Sequence, residues 1–291
     1  MSARVALVSS ERGLRVDPDL PIAASALRDA GLAVDLVRWD DPDVDWAGLD
    51  LAVVRSCWDY AWRRAEFLGW AESVPRLRNP APVLAWNTDK THLRDLAGAG
   101  LPVVPTVWGP TEAGQLPDAG EWVVKPSISA GSRDTARWTD PAAALGHVAE
   151  LTAAGRTAMV QPYLASVDDA GETAMLFLGG RFTHAVRKGP LLQRGEGVRQ
   201  DRDSRGDLRA VDPTPAQRAV AQAVLDAVPD LVPSSVPGTE PPLYARIDLV
   251  TDDAGRPVVL ELELTEPSLF LPQAPETAVA QWVTAVSAAT R

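Results

Sequence analysis

The sequence predicts an α/β chain: an N-terminal Rossmann-like parallel sheet, followed by an α+β part built on antiparallel hairpins. Three observations carry this. Apolar runs at 4–10, 32–37 and 51–55 surround a helical period at 20–30 that stops at Gly31, the alternation expected of a parallel sheet. Farther on, two pairs of alternating runs flank Gly179-Gly180 and Thr251-Asp252-Asp253-Ala254-Gly255, which marks hairpins. At 291 residues the chain exceeds a usual single core, so two or three subdomains around a shared cleft are expected.

Composition narrows the partners. A net charge of -11 argues against nucleic acid or an anionic membrane, so an anionic ligand would need locally clustered cations. No apolar run approaches bilayer length and the opening MSARVALVSS lacks a long apolar region, so a cytoplasmic protein is expected. Cys57 is the only cysteine, which excludes an intrachain disulfide and a cysteine-based zinc site, and His92, His147 and His184 are far apart in sequence. Oligomeric state stays open, a homo-oligomer included.

In the first sheet no GxGxxG follows the opening strand, so a dinucleotide is not expected there. Ligands of open parallel sheets sit beyond the carboxyl ends of the strands, which directs attention to Arg55-Ser56-Cys57-Trp58-Asp59-Tyr60. That mixture suits a small zwitterion, with Arg55 clamping a carboxylate and Asp59 taking an ammonium, while Ser56, Trp58 and Tyr60 complete the pocket. Equally open is plain packing by Trp58 and Tyr60, with Arg55 paired to Asp59.

Next comes a helix opened at 86–90, with Asn87 or Thr88 as N-cap and Lys90 in its first turn. A cation there opposes the helix dipole, and an anion beside it would reverse the penalty. A strand at 121–125 ends in Lys125 and enters Pro126-Ser127-Ile128-Ser129-Ala130-Gly131-Ser132. Ser127, Ser129, Gly131 and Ser132 let backbone N–H groups and hydroxyls approach a phosphate, and Lys125 supplies a point charge. A merely flexible Ser/Gly loop would read the same way without that lysine.

The strand ending in Gln161-Pro162-Tyr163-Leu164 stops pairing at its proline and frees an edge that can meet an adenine ring. Glu172 introduces a hairpin over 173–187 that delivers Arg187 and Lys188, and 189–213 reads as a long mobile loop, either a site cover or disordered. A helix at 214–228, a proline-rich connector at 229–242 and a closing helix at 275–290 are assigned structural roles.

The hairpin at 244–264 holds the chemistry. If Ala245, Ile247 and Leu249 share a core face with Leu260, Leu262 and Leu264, then Arg246, Asp248, Glu261 and Glu263 share the other, with Asp248 opposite Glu261. Like charges roughly 5 Å apart at an effective dielectric near 20 repel by about 3 kcal/mol, so a cation is expected among them. Hard, oxygen-seeking Mg2+ fits, since it is commonly held by one or two carboxylates while substrate phosphates complete its octahedron. The bland alternative is a solvated face, or one paired to Arg246. Beyond it, Thr265-Glu266-Pro267-Ser268-Leu269-Phe270-Leu271 mixes polar and bulky apolar groups like a loop covering a site, with Glu266 and Ser268 as substrate contacts.

Taken in order from Lys90 to Leu271, these pieces resemble the ATP-grasp superfamily of carboxylate ligases. The resemblance implies an ATP-grasp fold, with a substrate domain over 1–86, a lid subdomain over 87–160 and a C-terminal subdomain over 161–291 that clasps ATP. It implies that Lys90 and Lys125 hold ATP phosphates, that 127–132 is the lid loop and that Gln161, Pro162, Tyr163 and Leu164 bracket adenine. Glu172 would meet the ribose region, Arg246 would lie on the transferring phosphate, and Asp248 and Glu261 would bind Mg2+, with Glu263 standing where many relatives carry Asn. Arg187 and Lys188 would grip an acyl phosphate. More narrowly, 55–60 together with 261–270 resembles the branch holding the cyclo-ligase of cycloserine biosynthesis, which implies cyclisation of O-ureido-D-serine to D-cycloserine. Joining two amino acids or peptides on the same fold is the alternative.

Overall fold

The computed structural model describes residues 2–200, 207–233 and 241–291. Its strands form three sheets that follow one another along the chain.

The first sheet is parallel, β1 (Arg4–Ser9), β2 (Ala33–Arg38), β3 (Leu51–Val54) and β4 (Leu77–Arg78), in the order β2-β1-β3-β4. Val5 to Val8 are fully buried, which the continuous apolar run anticipates for a strand covered on both faces. Helices α1 (Glu11–Val16), α2 (Asp19–Asp29) and α3 (Tyr60–Ser73) belong to this layer. α2 buries Leu20, Ala23, Ala24 and Leu27, a helical spacing. It ends where Gly31, at φ 87°, lets the Leu32 N–H return to the Leu27 carbonyl.

Two short helices follow, α4 (Ala81–Asn87) and α5 (His92–Gly98). The expected N-cap at Asn87 or Thr88 is therefore corrected: Asn87 closes one helix and Lys90 lies between two. The reason is tertiary. Asn87 donates to the Leu262 carbonyl at 2.9 Å and accepts from the Leu264 N–H at 2.6 Å, so its amide fastens a distant strand rather than capping a helix.

A second, antiparallel sheet contains β5 (Val107–Trp108), β6 (Trp122–Pro126), β7 (Ala136–Trp138) and β8 (Ala158–Pro162), in the order β5-β8-β6-β7. It is covered by α6 (Pro141–Ala153), whose Asp140 cap accepts from the Ala142 N–H. After α7 (Ser166–Ala170) comes the third sheet: β9 (Glu172–Leu178), β10 (Arg181–Lys188), β11 (Leu208–Val211), β12 (Tyr244–Thr251) and β13 (Pro257–Glu263), in the order β11-β10-β9-β12-β13. The loop expected over 189–213 thus contains a strand, β11, which pairs with β10, and residues 201–206 lie outside the described residues. Of the connector expected over 229–242, the first residues continue α8 (Pro215–Leu231), and 234–240 also lie outside.

The third sheet has two different faces. Ala245, Ile247, Leu249, Met175 and Phe177 pack with α8 residues Ala221, Val224 and Leu225. On the other face Ala174, Leu176, Leu178, Val186 and Tyr244 share one core with Val5, Leu7 and α2, closed by Trp282 of α9 (Glu276–Ala289). Trp282 is 0% exposed, and truncating such a side chain costs about 3–5 kcal/mol. The C-terminal helix therefore fastens the first sheet to the third, and the polar end of this same face carries the site.

The final hairpin pairs Asp248 with Glu261 and Arg246 with Glu263, the expected register. One expectation is corrected. A bulge between Asp248 and Leu249 sets Leu249 opposite Val259, so Val259 joins the core and Leu260 turns to the cavity described below. An extra residue in one strand inverts the alternation beyond it.

Candidate active site

The polar end of the third sheet, the second sheet and the rim of the first surround a cavity of about 300 Å³. Three lysines reach it from three elements: Lys90 from the α4–α5 turn, Lys125 from β6 and Lys188 from β10. The Lys90 N–H donates to the Ser127 carbonyl at 2.8 Å and its ammonium to the Ser129 carbonyl at 3.0 Å, which locks the turn to the small-residue loop. In that loop Gly131 and Ser132 have φ of 64° and 56°, and Ser129, Gly131 and Ser132 line the cavity. Ser127 is buried and contributes backbone: its N–H donates to the Thr157 carbonyl.

Opposite the lysines stand the carboxylates. Asp248, Glu261 and Glu263 each place an oxygen within 4.8 Å of the others. Arg246 donates from Nε and Nη2 to the two Asp248 oxygens at 2.9 and 3.1 Å and also pairs with Glu263. Lys188 lies 2.6 Å from both Asp248 and Glu172, and Lys90 3.1 Å from Glu261.

The balance of charge explains the ionisation. Burial works against the charged form of Asp248, but Arg246 and Lys188 hold its carboxyl below the ordinary range. Glu261 is likewise held well down by Lys90, Lys125 and Lys188 against its burial. Burial, with Glu261 and Glu266 beside it, pushes Glu263 up to about 8 despite Arg246. Glu266 is pushed by burial up to about 7. Burial also lowers Lys125, whereas carboxylate neighbours raise Lys188 in spite of it. Three converging carboxylates are an all-oxygen donor set, and the burial and like-charge repulsion that raise Glu263 are what a hard divalent cation would offset.

Gln161, Pro162, Tyr163 and Leu164 form one wall together with Val104, Leu260 and Glu172. The Gln161 amide donates to Thr106 Oγ1 at 3.0 Å, and its buried carbonyl oxygen has no partner among the described residues. Trp58, Tyr60, Glu266, Ser268 and Phe270 line the end toward the first sheet.

Four expected contacts are corrected. Arg55 does not face the cavity: it is 1% exposed, donates to the Pro267 carbonyl at 2.6 Å and lies 5.2 Å from the Tyr244 ring centroid. Ser56 is buried against the Ser9 hydroxyl at 2.7 Å. Asp59 accepts from Trp39 Nε1 at 3.1 Å and pairs with Arg63 rather than Arg55. Arg187 donates to the Ala170 and Asp169 carbonyls, because neighbouring residues on a strand point to opposite faces and Lys188 takes the cavity side. Cys57 is buried and its thiol is pushed up by burial, away from reactivity.

Two groups on the wall were not anticipated. His92, with Nδ1 donating to the Asp89 carbonyl, leaves a buried Nε2 without a partner among the described residues. Its position two residues past Lys90 was the available signal. Leu191 and Leu192 also reach the cavity, and their segment is held to the small-residue loop by Asp134 N–H to Arg199 carbonyl and Arg199 N–H to Thr135 carbonyl bonds of 2.8 and 3.0 Å. That part of 189–200 therefore forms part of the cavity wall.

Residues 5–79 match the family described as D-cycloserine synthetase DcsG, N-terminal domain. The chain is 37% identical to the cycloserine biosynthesis protein DcsG of Streptomyces lavendulae over 289 residues, 92% of either chain. The crystal structure of D-cycloserine synthetase DcsG is similar with a TM-score of 0.89 at 35% identity, covering 99% of this chain and 100% of that one. The fold is also that of the ATP-grasp ligase PsnB complexed with a phosphomimetic variant of its minimal precursor, Mg and ADP, with a TM-score of 0.65 at 18% identity, covering 100% and 99%. Among the described residues no helix is long and apolar enough to cross a membrane. An identity of this level along nearly the whole chain, on a fold shared from end to end, decides the family: the chain belongs to the D-cycloserine synthetase family of ATP-grasp ligases.

Proposed function

We propose that this ligase uses ATP to activate the carboxylate of O-ureido-D-serine and closes the ring to D-cycloserine. The observation that carries the reading is the convergence of Asp248, Glu261 and Glu263 within 4.8 Å, beside a cavity that Glu261 and Glu263 line and that Lys90, Lys125 and Lys188 reach. Gln161 to Leu164 would bracket adenine, Glu172 the ribose region, and Lys90, Lys125 and the 127–132 loop the phosphates. Asp248, Glu261 and Glu263 would hold Mg2+, which supplies charge neutralisation on the phosphate oxygens.

A substrate carboxylate oxygen attacks the γ-phosphorus, the bond to the β-phosphate oxygen breaks and ADP leaves. Little covalent work falls to the protein, so Arg246, Lys125 and Lys188 act by placing positive charge where the transferring group gains negative charge. The nitrogen bonded to the substrate's ether-like oxygen then attacks the acyl carbon, the carbon–oxygen bond to phosphate breaks and the nitrogen loses its proton. Holding both ends in one closed cavity favours this intramolecular step. Water then attacks the carbamoyl group that this nitrogen still carries, the nitrogen–carbonyl bond breaks, and carbamate leaves as carbon dioxide and ammonia to give D-cycloserine. Trp58, Tyr60, Glu266 and Ser268 would grip the amino-acid part. The reading sets the enzyme in the cytoplasm, where ATP is supplied.

The test is ADP release together with trapping by hydroxylamine as a hydroxamate, followed by product mass. ADP formation dependent on the amino-acid carboxylate and a cyclised product are expected. A mass equal to two condensed substrates would indicate joining of two molecules instead. ATP binding without ADP formation would refute ligation altogether.

A further inference from the structure

Residues 265–271, which carry Glu266, Ser268 and Phe270 to the cavity, form no strand and only a 3-10 turn at their end. Buried irregular backbone must find side-chain partners, and here they come from far away in sequence. Asp19, 1% exposed at the start of α2, accepts the N–H groups of Leu269, Phe270 and Leu271 at 2.6, 3.2 and 2.8 Å. Arg55 holds the Pro267 carbonyl at 2.6 Å, His184 Nε2 the Leu269 carbonyl at 2.9 Å and Tyr244 the Thr265 carbonyl at 3.0 Å.

The path so fixed alternates. Glu266, Ser268 and Phe270 line the cavity, while Leu269 and Leu271 enter the core shared by the first and third sheets, which Phe270 borders as well. Phe270 sits at φ 53°, a conformation an aromatic L-residue avoids, and only an over-determined surrounding keeps it there. Its ring centroid lies 5.4 Å from the Arg246 guanidinium carbon, and Arg246 holds Asp248.

We infer that Asp19, assisted by Arg55 and His184, is a positioning residue: it holds 265–271 in the one path that turns Glu266, Ser268 and Phe270 toward the amino-acid substrate and seats Phe270 against Arg246. Asp19 does not line the cavity, so its action passes through backbone N–H groups. The inference rests on the ligase reading above. The competing account is that Asp19 merely fastens Leu269 and Leu271 in the core.

The experiment is Asp19→Asn in the full chain, followed by amide hydrogen exchange and by steady-state kinetics in ATP and in O-ureido-D-serine. Asn loses the charge and presents an NH2 to one of the three donors. The amides of Leu269 to Leu271 should exchange at least about tenfold faster. kcat/KM for the amino acid should fall by about tenfold or more while KM for ATP stays within about twofold, the signature of misplaced substrate contacts. Faster exchange with unchanged kcat/KM for the amino acid would overturn the proposal. So would an equal loss toward both substrates, or amides that stay protected. If Asp19→Asn does not fold, His184→Leu removes one bond of the same clamp and should give a smaller loss of about threefold on the amino-acid side only; no selective loss there would overturn it equally. A wild-type enzyme that forms no ADP with this substrate refutes the ligase reading instead, and the exchange result then judges the clamp alone.

Discussion

Replacing Arg246 by Met tests the electrostatics of the site most directly. Arg246 is 6% exposed and bridges Asp248, itself 0% exposed, to Glu263. Met keeps much of the volume but leaves the carboxylates short of one positive charge. Removing one partner of a buried pair costs about 3–5 kcal/mol, and because Lys188 remains 2.6 Å from Asp248, the lower end, about 3 kcal/mol, is expected. An unfolding entropy of about 2.1 cal/mol/K per residue gives about 0.6 kcal/mol/K for 291 residues, so Tm should fall by about 5 °C. Thermal unfolding with and without millimolar MgCl2 measures this. A cation bound by the three carboxylates should raise the Tm of Arg246→Met more than that of the wild type, by as much as about 2.7 kcal/mol of stability at a hundredfold excess over Kd. ADP formation should drop by about 10²–10³-fold. A Tm within about 1 °C of wild type, with no larger response to Mg2+, would refute the claim that charge pairing holds this cluster together.

Two further outcomes follow from single groups. Lys125→Met should cost ADP formation about 10²–10³-fold while leaving Tm unchanged or higher, since burial already disfavours the Lys125 ammonium; a lower Tm on thermal unfolding would contradict that. His92 is lowered by burial from 6.5 to about 4, so the folded protein refuses a proton that the unfolded chain accepts. Its contribution to stability is complete above pH 6.5 and is lost as pH falls toward 4, by about 3 kcal/mol at most. Urea unfolding at pH 7 and pH 4.5 should therefore show a smaller acid loss in His92→Gln than in wild type, and identical losses would sink the assignment.

The features legible in the sequence were local. Strand alternation predicted that Asp248 faces Glu261, and a lysine in the first turn of an expected helix, a lysine ending an apolar strand and a hairpin ending in Arg187-Lys188 pointed to Lys90, Lys125, Arg187 and Lys188, of which Lys90, Lys125 and Lys188 line the cavity. Periodicity and side-chain charge depend on neighbours within a few residues, so they survive reading in one dimension. The misplaced residues depended on partners that no spacing reveals. Asn87 has the chemistry of an N-cap, but its amide meets Leu262 and Leu264, and Arg55 has the chemistry of a carboxylate clamp, but its guanidinium meets the Pro267 carbonyl.

By itself, then, the sequence determined which residues carry charge at the ends of which strands, and so the kind of chemistry the cleft can host. Only tertiary structure decided which of them face it: the bulge that turns Leu260 inward, the strand phase that selects Lys188 over Arg187, and the Asp19 carboxylate that shapes 265–271 from 250 residues away in sequence. The physical reason is that a hydrogen-bonding group is satisfied by whatever partner folding brings within reach, and side-chain type alone cannot name that partner.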